Sequence, residues 1–398
     1  MNILVTATTF PRWDGDSEPG FVFYLSRLLA KKHKVICLVP WHPGAKEYEE
    51  MDGVKVVRFK YFFGLERLCY DGGILANLKK SWLAKLQPPF LVKAQEKAIW
   101  KIVKGEKIDL IHAHWIVPQG FIASRIKRMF GIPFVVTAHA GDIFPLKNPF
   151  FRRLGRKALQ DCAVCTVNSE ATGKAVSDLY SVKNMSTIPM GVDLEQFSPK
   201  LKDNKVKKEF DVTGEFLLFV GRIAEKKGLT YLLDAMPAVV KKFPKVKLVV
   251  IGDGPLKTRL EAQASAMKLD GHVIFAGKRK NEDLGKYFAS ADVFVGPSIV
   301  TDSGDTEGLG VVFLEAIASG TAVIGGNVGG VPDIIKDGKT GLLVEEKNSK
   351  ELSKKIVELL GDKKKREKMV KAGQKHIKDN YDWEKVTKKF EDLFKKIL

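Results

Sequence analysis

Two glutamates eight positions apart, Glu307 and Glu315, bracket the turn Gly308-Leu309-Gly310 and the start of an amphipathic run, Val311 to Ser319. Glycines just before a helix let a ligand reach the unpaired backbone N–H groups of its first turn, where the helix dipole also favours negative charge. A phosphate or a polar sugar suits that place. Glu307 falls at the helix entrance, where a carboxylate is also an ordinary partner for the dipole. Glu315 falls one to two turns inside, after Val312-Phe313-Leu314 and before Ala316-Ile317-Ala318. A carboxylate in such apolar surroundings needs a partner.

Further upstream, Gly221-Arg222 ends an apolar run and Lys227-Gly228 opens the next helical pattern. A guanidinium fork and a mobile ammonium at a strand's carboxyl end suit a diphosphate, although such a pair taken alone is more often solvated surface. Gly252-Asp253-Gly254-Pro255 follows the next apolar run, but it lacks the third glycine of a dinucleotide fingerprint and Pro255 alters the turn. In the first half, Thr137-Ala138-His139-Ala140-Gly141-Asp142 ends another run, and Asp142, three residues on, makes His139 a candidate hydrogen-bond donor or proton handler. His112 and His114 share one face of a predicted strand, as two metal ligands would, without a third ligand at an obvious spacing. Asp302 and Asp305 read as a polar loop lining a sugar pocket rather than a cation site.

These residues need elements to hold them. Short runs rich in β-branched residues alternate with longer amphipathic stretches from end to end, the pattern of parallel α/β architecture. Strands are predicted at 3–9, 35–40, 54–60, 109–114, 133–138, 163–168 and 186–190, and a second series at 216–220, 246–252, 273–276, 292–296, 322–325 and 342–344. The polar, lysine-rich stretch from Gly191 to Gly214 between them reads as a linker. Two Rossmann-like doubly wound domains, 1–195 and 196–380, are therefore expected, with ligands at the carboxyl ends of the strands in a cleft between the domains. Residues 362–398 are helical by pattern.

Composition bounds the partners. The 398 residues carry 66 basic and 47 acidic side chains, a net charge of +19. Residues 1–190 hold 28 basic and 16 acidic side chains, residues 191–398 hold 38 and 31. Such an excess points to an anionic partner, whether a phosphorylated ligand, a membrane surface or nucleic acid. Segment 59–103 mixes Tyr61-Phe62-Phe63, Trp82, Phe90 and Trp100 with Lys79, Lys80, Lys85 and Lys101, while Lys147, Arg152, Arg153, Arg156 and Lys157 add a basic patch. Aromatics and lysines mixed in this way suit attachment to an anionic membrane, and equally ordinary core packing with solvated lysines. Four cysteines make no disulfide framework and fit a reducing compartment, with the cytoplasm as default. Cys162 and Cys165 resemble a CxxC, but 163–167 reads as a buried strand on which residues three apart face opposite ways. The start, Met1 to Val5, has no basic region of the kind that opens a signal peptide, and no apolar run approaches a membrane span.

Together these residues resemble the retaining glycosyltransferases of the GT-B fold, in particular family 4, the glycosyl transferases group 1. The likeness covers nearly the whole chain and is strongest from Phe216 to Val344. Its carriers are Gly221-Arg222, Lys227-Gly228, Gly252-Asp253-Gly254-Pro255, Pro297-Ser298, the E-x7-E spacing of Glu307 and Glu315, Gly329-Gly330-Val331-Pro332-Asp333 and Asp337-Gly338 to Val344. The resemblance implies that Arg222 and Lys227 bind a donor's diphosphate and that Glu315 holds ribose hydroxyls. It implies that Glu307 with the backbone of Gly308, Leu309 and Gly310 holds the transferred sugar, that Gly254 belongs to the donor site, and that Gly277, Lys278 and Arg279 border the base. It places His139 close to the sugar and leaving phosphate, with Asp142 as its companion acid. Two departures stand out: Ala140 replaces the family's glycine after the histidine, and Gly15 and Gly20 are separated in the first loop, on the acceptor side, where many members have adjacent glycines. The resemblance further implies a nucleoside diphosphate sugar as substrate, no metal or other cofactor, and a last helix, 381–398, that returns to the first domain, while the basic and aromatic surface points to a lipid-linked acceptor, with a glycan as the other expectation.

Other readings make distinct demands. An NAD-dependent dehydrogenase would need a complete GxGxxG after a first strand, which neither half has. A nucleic-acid binder would account for the charge, but the basic residues form no recognised module, and no nucleic-acid partner is expected. A sugar-phosphate synthase or a phosphorylase would share the fold.

Overall fold

The computed structural model describes residues 1–398 apart from Asp14, Ser17, Pro19 and Asp71 and the side chain of Leu75. The chain divides into two α/β units, Met1–Ile188 with Val386–Leu398, and Pro189–Lys385.

The first unit is built on an eight-stranded sheet. Its strands are β1 (Asn2–Thr6), β2 (Lys34–Pro40), β3 (Tyr48–Met51), β4 (Val54–Phe59), β5 (Leu110–His114), β6 (Phe134–Ala138), β7 (Val164–Val167) and β8 (Met185–Thr187). They lie in the order β3-β4-β2-β1-β5-β6-β7-β8. Every pairing is parallel except β3 with β4. The central strands are apolar runs because helices cover both faces of such a sheet, and Ile3, Leu4, Leu110, Ile111, Phe134 and Val135 are fully buried. The helix Phe21–Ala30 turns Val22, Leu25 and Leu29 inward at the spacing of one helical face. Asn148 caps the helix Pro149–Asp161 by accepting the N–H groups of Phe150 and Phe151.

The helix Trp383–Ile397 supplies its residues from Val386 onward to this unit. Phe390 and Phe394 are fully buried, their rings 5.2 and 5.4 Å from that of His112. Glu391 is buried beside Lys32 and His33.

The second unit has six parallel strands, β9 (Phe216–Val220), β10 (Lys247–Ile251), β11 (Val273–Gly277), β12 (Val293–Gly296), β13 (Ala322–Gly326) and β14 (Leu342–Val344). Their order is β11-β10-β9-β12-β13-β14. The winding reverses between β9 and β12, and ligands of open α/β sheets bind at the carboxyl ends of the strands at such a point.

Two expectations change. β3 was not expected, because Tyr48-Glu49-Glu50-Met51 is polar; it pairs only with β4 at the sheet edge, across a turn in which Asp52 and Gly53 take φ of 47° and 78°. The stretch 191–214 is no free linker. It carries the helix Asn204–Glu209, capped by Asp203, and buries Phe197, Val206, Phe210 and Val212 in the second unit. Phe197 meets Phe288 and Phe210 meets Tyr287, each with ring centroids 6.0 Å apart. Too few apolar residues, spread among lysines, leave no period to read. Among the described residues, no helix is long and apolar enough to cross a membrane.

Candidate functional site

The second unit places Arg222, Lys227, Glu307 and Gly308 to Gly310 on loops that follow β9 and β12, with Glu315 in the helix after the latter. Lys227 ends a short turn after β9, and its ammonium donates to the Glu307 carboxylate, with both side chains mostly buried. Backbone packing fixes both ends of this pair. Gly228, at φ 64°, lies so close to the loop after β12 that a Cβ would stand 1.9 Å from the Pro297 carbonyl oxygen. Gly329, at φ 55°, approaches Glu307 so that a Cβ would stand 2.0 Å from the Glu307 carbonyl oxygen, and the Gly330 N–H donates to that oxygen at 3.0 Å. Only glycine satisfies such a backbone angle and such a contact together.

Burial raises the cost of ionising Glu307, but the charges of Lys227 and Lys226 and the bond from Lys227 outweigh it and hold its carboxyl below the ordinary value. Lys226 is itself paired with Asp305 at 3.1 Å, so the polar loop 298–305 carries an ion pair. Glu315 sits in the helix Val311–Ala318 with Phe313, Leu314, Ala316 and Ile317 buried around it. Desolvation raises its pKa to about 7 against the pull of Lys227. Gly308, Leu309 and Gly310 are buried and lead into this helix. The two glutamates thus differ in state: Glu307 is ionised by its partners, and Glu315 titrates near neutrality.

Arg222 is exposed and forms no ion pair among the described residues. Its loop is held from behind, where the Ile223 N–H donates to Asp253 O at 2.9 Å and Gly254 lies close enough that a Cβ would stand 2.3 Å from Ile223 O. Gly254 is therefore scaffold for the Arg222 loop. Lys278 and Arg279 follow β11 at the sheet edge, away from the reversal point. Lys278 is exposed, whereas Arg279 is engaged by Glu209 at 2.9 Å and by the Tyr287 hydroxyl at 3.1 Å.

The first unit brings His139 into an aromatic setting. The imidazole follows β6, its ring centroid 4.9 Å from that of Phe21, 5.2 Å from that of Trp115 and 5.1 Å from that of His114, to which its plane is nearly parallel. Among the described residues, Asp142 makes no hydrogen bond to the imidazole. Its carboxylate accepts the backbone N–H of His139 at 2.9 Å and of Ile116 at 2.7 Å, tying the ends of two strand loops together. Burial raises the pKa of Asp142 to about 6 against these bonds and lowers that of His139 to about 3. Ala140, where the resemblance expects glycine, is buried at φ 70°.

Gly20 precedes the helix whose first residue, Phe21, meets the His139 ring, whereas among the described residues nothing lies within 4 Å of a Cβ placed on Gly15. The loop holding Gly15 is pinned by Arg12 and Asp16, paired at 2.8 Å. Residues 14, 17 and 19 of that loop lie outside the described residues.

His114, Trp115 and Phe21 are neighbours of His139 that the sequence reading left out of the site. The signal was present in His112-Ala113-His114-Trp115 at the end of a predicted strand. Among the described residues no group of three or more His, Cys, Asp or Glu is arranged to hold a metal ion. His112 and His114 engage Thr137 and His139 instead. Cys162 and Cys165 are unpaired thiols, one closing a helix and the other inside β7.

Comparison with known proteins gives a consistent picture. The family model described as glycosyl transferases group 1 matches residues 201–376, and that of glycosyltransferase family 4 matches residues 21–196. An uncharacterized glycosyltransferase of Methanocaldococcus jannaschii is 30% identical over 305 residues, 73% of this chain and 78% of that protein. A GDP-mannose-dependent monoacylated alpha-(1-6)-phosphatidylinositol monomannoside mannosyltransferase of Corynebacterium glutamicum is 29% identical over 293 residues, 72% of this chain and 76% of that one. Among solved structures, sucrose-phosphate synthase from Thermosynechococcus elongatus superposes with a TM-score of 0.80 at 21% identity, over 100% of this chain and 98% of that one.

Proposed function

Because the chain belongs to the group 1 glycosyltransferases of the GT-B fold, we propose that it transfers a sugar from a nucleoside diphosphate sugar, UDP- or GDP-linked, to a hydroxyl of a lipid-linked or glycan acceptor with retention at the anomeric carbon. The observation that carries this reading is the Lys227–Glu307 pair beside the reversal point of the second sheet, with the exposed guanidinium of Arg222, which forms no ion pair among the described residues, on the same β9 loop.

The chemical problem is charge separation. The bond from the anomeric carbon to the diphosphate oxygen breaks as the bond to the acceptor oxygen forms on the same face of the sugar, and the departing phosphate takes the acceptor's proton. Arg222 and Lys227 neutralise the leaving diphosphate in place of a metal ion, a preorganised electrostatic contribution that needs no rearrangement during the reaction. Glu307, kept ionised, accepts sugar hydroxyls, and the backbone of Gly308 to Gly310 lines the same ligand. Glu315 accepts the ribose hydroxyls, His139 meets the sugar near the leaving phosphate, and Asp142 holds the His139 loop. Lys278 borders the base, and Arg279 shapes that edge through Glu209 and Tyr287.

The lipid part of the reading rests on the first unit's surface. Phe63, Trp82, Phe90 and Trp100 are exposed large apolar residues, the first two by 89% and 74%, more than ordinary packing explains. Lys60, Phe62, Phe63, Phe90, Lys93 and Lys97 line an open groove of about 420 Å³. Lysines rimming aromatic walls fit the headgroup region of an anionic membrane. The name of the Corynebacterium relative, whose acceptor is a phosphatidylinositol mannoside, agrees with this. Peripheral attachment to the inner face of the cell membrane follows.

A mass-spectrometric screen of UDP- and GDP-sugars against lipid and sugar acceptors tests the proposal. A sugar-bearing lipid product with its anomeric configuration retained is the expected result. Nucleoside diphosphate release by Arg222→Ala and Lys227→Ala at the unaltered rate overturns the site assignment.

A further inference from the structure

A row of buried polar side chains crosses the first sheet beside His139. His112 and His114, two apart on β5, point to the same face with ring centroids 4.2 Å apart. His112 Nε2 lies 2.7 Å from Thr137 Oγ1, which lies 2.6 Å from Thr166 Oγ1, and the Thr166 hydroxyl reaches the Val136 carbonyl at 3.5 Å. His114 Nδ1 lies 2.9 Å from His139 Nε2. His112, His114, Thr137 and Thr166 are fully buried. Two nitrogens of the row, His112 Nδ1 and His114 Nε2, have no partner among the described residues.

The contact between His114 and His139 has two possible directions, and the unpartnered nitrogens distinguish them. If His139 Nε2–H donates, His114 accepts at Nδ1 and must carry its proton on Nε2, which buries an N–H without an acceptor. A buried donor left unmade costs about 1–3 kcal/mol, and such orphaned N–H groups are rare in folded proteins. If His114 Nδ1–H donates, the unpartnered Nε2 is a bare lone pair. The same rule orders the rest of the row: His112 donates from Nε2 to Thr137, Thr137 to Thr166, and Thr166 to the Val136 carbonyl, leaving His112 Nδ1 also as a lone pair. Each hydroxyl then donates once and accepts once. Burial disfavours the imidazolium form throughout, lowering the pKa of His112 and His139 to about 3 and that of His114 well below its ordinary value.

We propose that His114 is a positioning residue that donates from Nδ1 to Nε2 of His139 and thereby fixes His139 as the neutral Nδ1–H tautomer. His139 is partly exposed, and its Nδ1 has no partner among the described residues. The nitrogen left for a ligand is thus a hydrogen-bond donor and not a base. This consequence rests on the proposed contact between His139 and the sugar or leaving phosphate, whose oxygens accept hydrogen bonds from such a group. In that role His139 stabilises developing negative charge without exchanging a proton.

Long-range proton–nitrogen correlation spectra of the 15N-labelled full chain, with His114 and His139 assigned by substitution, read the tautomer without substrate. The expected pattern is a pyrrole-type Nδ1 and a pyridine-type Nε2 for His139, unchanged from pH 6 to 8. His114→Phe is expected to release His139 into a mixture of tautomers and to lower kcat roughly tenfold with little change in donor KM. His114→Asn, whose amide N–H stands near the lost Nδ1–H, is expected to restore both. A proton on His139 Nε2 in the unsubstituted protein overturns the proposal, and that measurement decides even if His114→Phe does not fold. Should the Nδ1–H tautomer be found while His139→Ala transfers sugar at the normal rate, the tautomer stands and the sugar contact of the proposed function fails.

Discussion

The ammonium of Lys227 hydrogen-bonds the carboxylate of Glu307 across 80 residues of sequence. The contact joins the loop after β9 to the loop after β12, the two strands between which the sheet order reverses. In the ligand-free protein each group stabilises the charge of the other. Under the proposed function, a diphosphate arriving beside Lys227 would take a share of the ammonium, and Glu307 would then have lone pairs to offer to hydroxyls.

Removing either partner should therefore cost more than one contact. Lys227→Met leaves a mostly buried carboxylate without its cation, and Glu307 is expected to titrate at higher pH. Loss of the ammonium charge that the proposal sets beside the leaving diphosphate is expected to lower kcat/KM at least about a hundredfold, about 3 kcal/mol. Glu307→Gln keeps the shape and frees Lys227, so it should weaken sugar recognition more than nucleoside diphosphate affinity. Calorimetric titration with the nucleotide and with the nucleotide sugar separates these effects.

Glu315 supplies a pH dependence. Its pKa is about 7 in the folded chain against an ordinary 4.5. A carboxylate that accepts two ribose hydroxyls binds best when ionised, so donor affinity is expected to rise from pH 6 to pH 8. Glu315→Gln should flatten that rise. The folded state holds the extra proton between about 4.5 and 7, so Glu315 makes the protein less stable as pH climbs through that window. Glu315→Gln is accordingly expected to melt higher than the parent at pH 8 while binding donor more weakly, and a lower melting temperature there would sink this account.

At Ala140 the chain holds an L-residue in the left-handed region, φ 70°, next to His139. That conformation costs roughly 1–2 kcal/mol for a residue with a Cβ, and glycine's greater freedom when unfolded returns about 0.4–1 kcal/mol of the gain. Ala140→Gly is expected to stabilise the first unit by roughly 1 kcal/mol in urea unfolding, net of these two effects. Ala140→Val should destabilise it.

The groove beside Phe63 and Phe90 makes a prediction about surfaces. At low salt the full chain should sediment with vesicles containing anionic lipid and not with neutral ones. Lys93→Gln with Lys97→Gln should reduce partitioning roughly thirtyfold, taking ~1 kcal/mol for each basic side chain at the surface. Added salt should release the parent protein. Sedimentation that ignores both lysines would remove the groove from the membrane-binding face.

Much of this was legible in the residues, and the exceptions are physical. Buried parallel strands announce themselves as apolar runs, so twelve of them could be anticipated that way and the exposed β8 through the apolar residues that follow it, while β3 is solvated on its outer edge and has only the Asp52-Gly53 turn to betray it. The residues proposed for the second unit's site could be named from motif order and spacing, and Gly228 and Gly329 within those motifs stand where backbones crowd. The Lys227–Glu307 bond could not, since nothing in a linear spacing says which loops follow neighbouring strands. Asp142 was expected beside the imidazole of His139; its carboxylate went to two backbone N–H groups instead, a demand that no side-chain motif records. His114 was visible as half of a supposed metal pair, and only the register of β5 against β6 revealed its bond to His139.

The first unit is discontinuous, for its residues 1–188 are completed by Val386–Leu398. During translation the β5 face that receives Phe390 and Phe394 stays uncovered until the ribosome has made the rest of the described chain. The second unit, continuous from Pro189 to Lys385, meets no such delay. The second unit is thus the one that can finish folding first, and the β5 face beside the histidine row is covered only after residues 386–398 have been made.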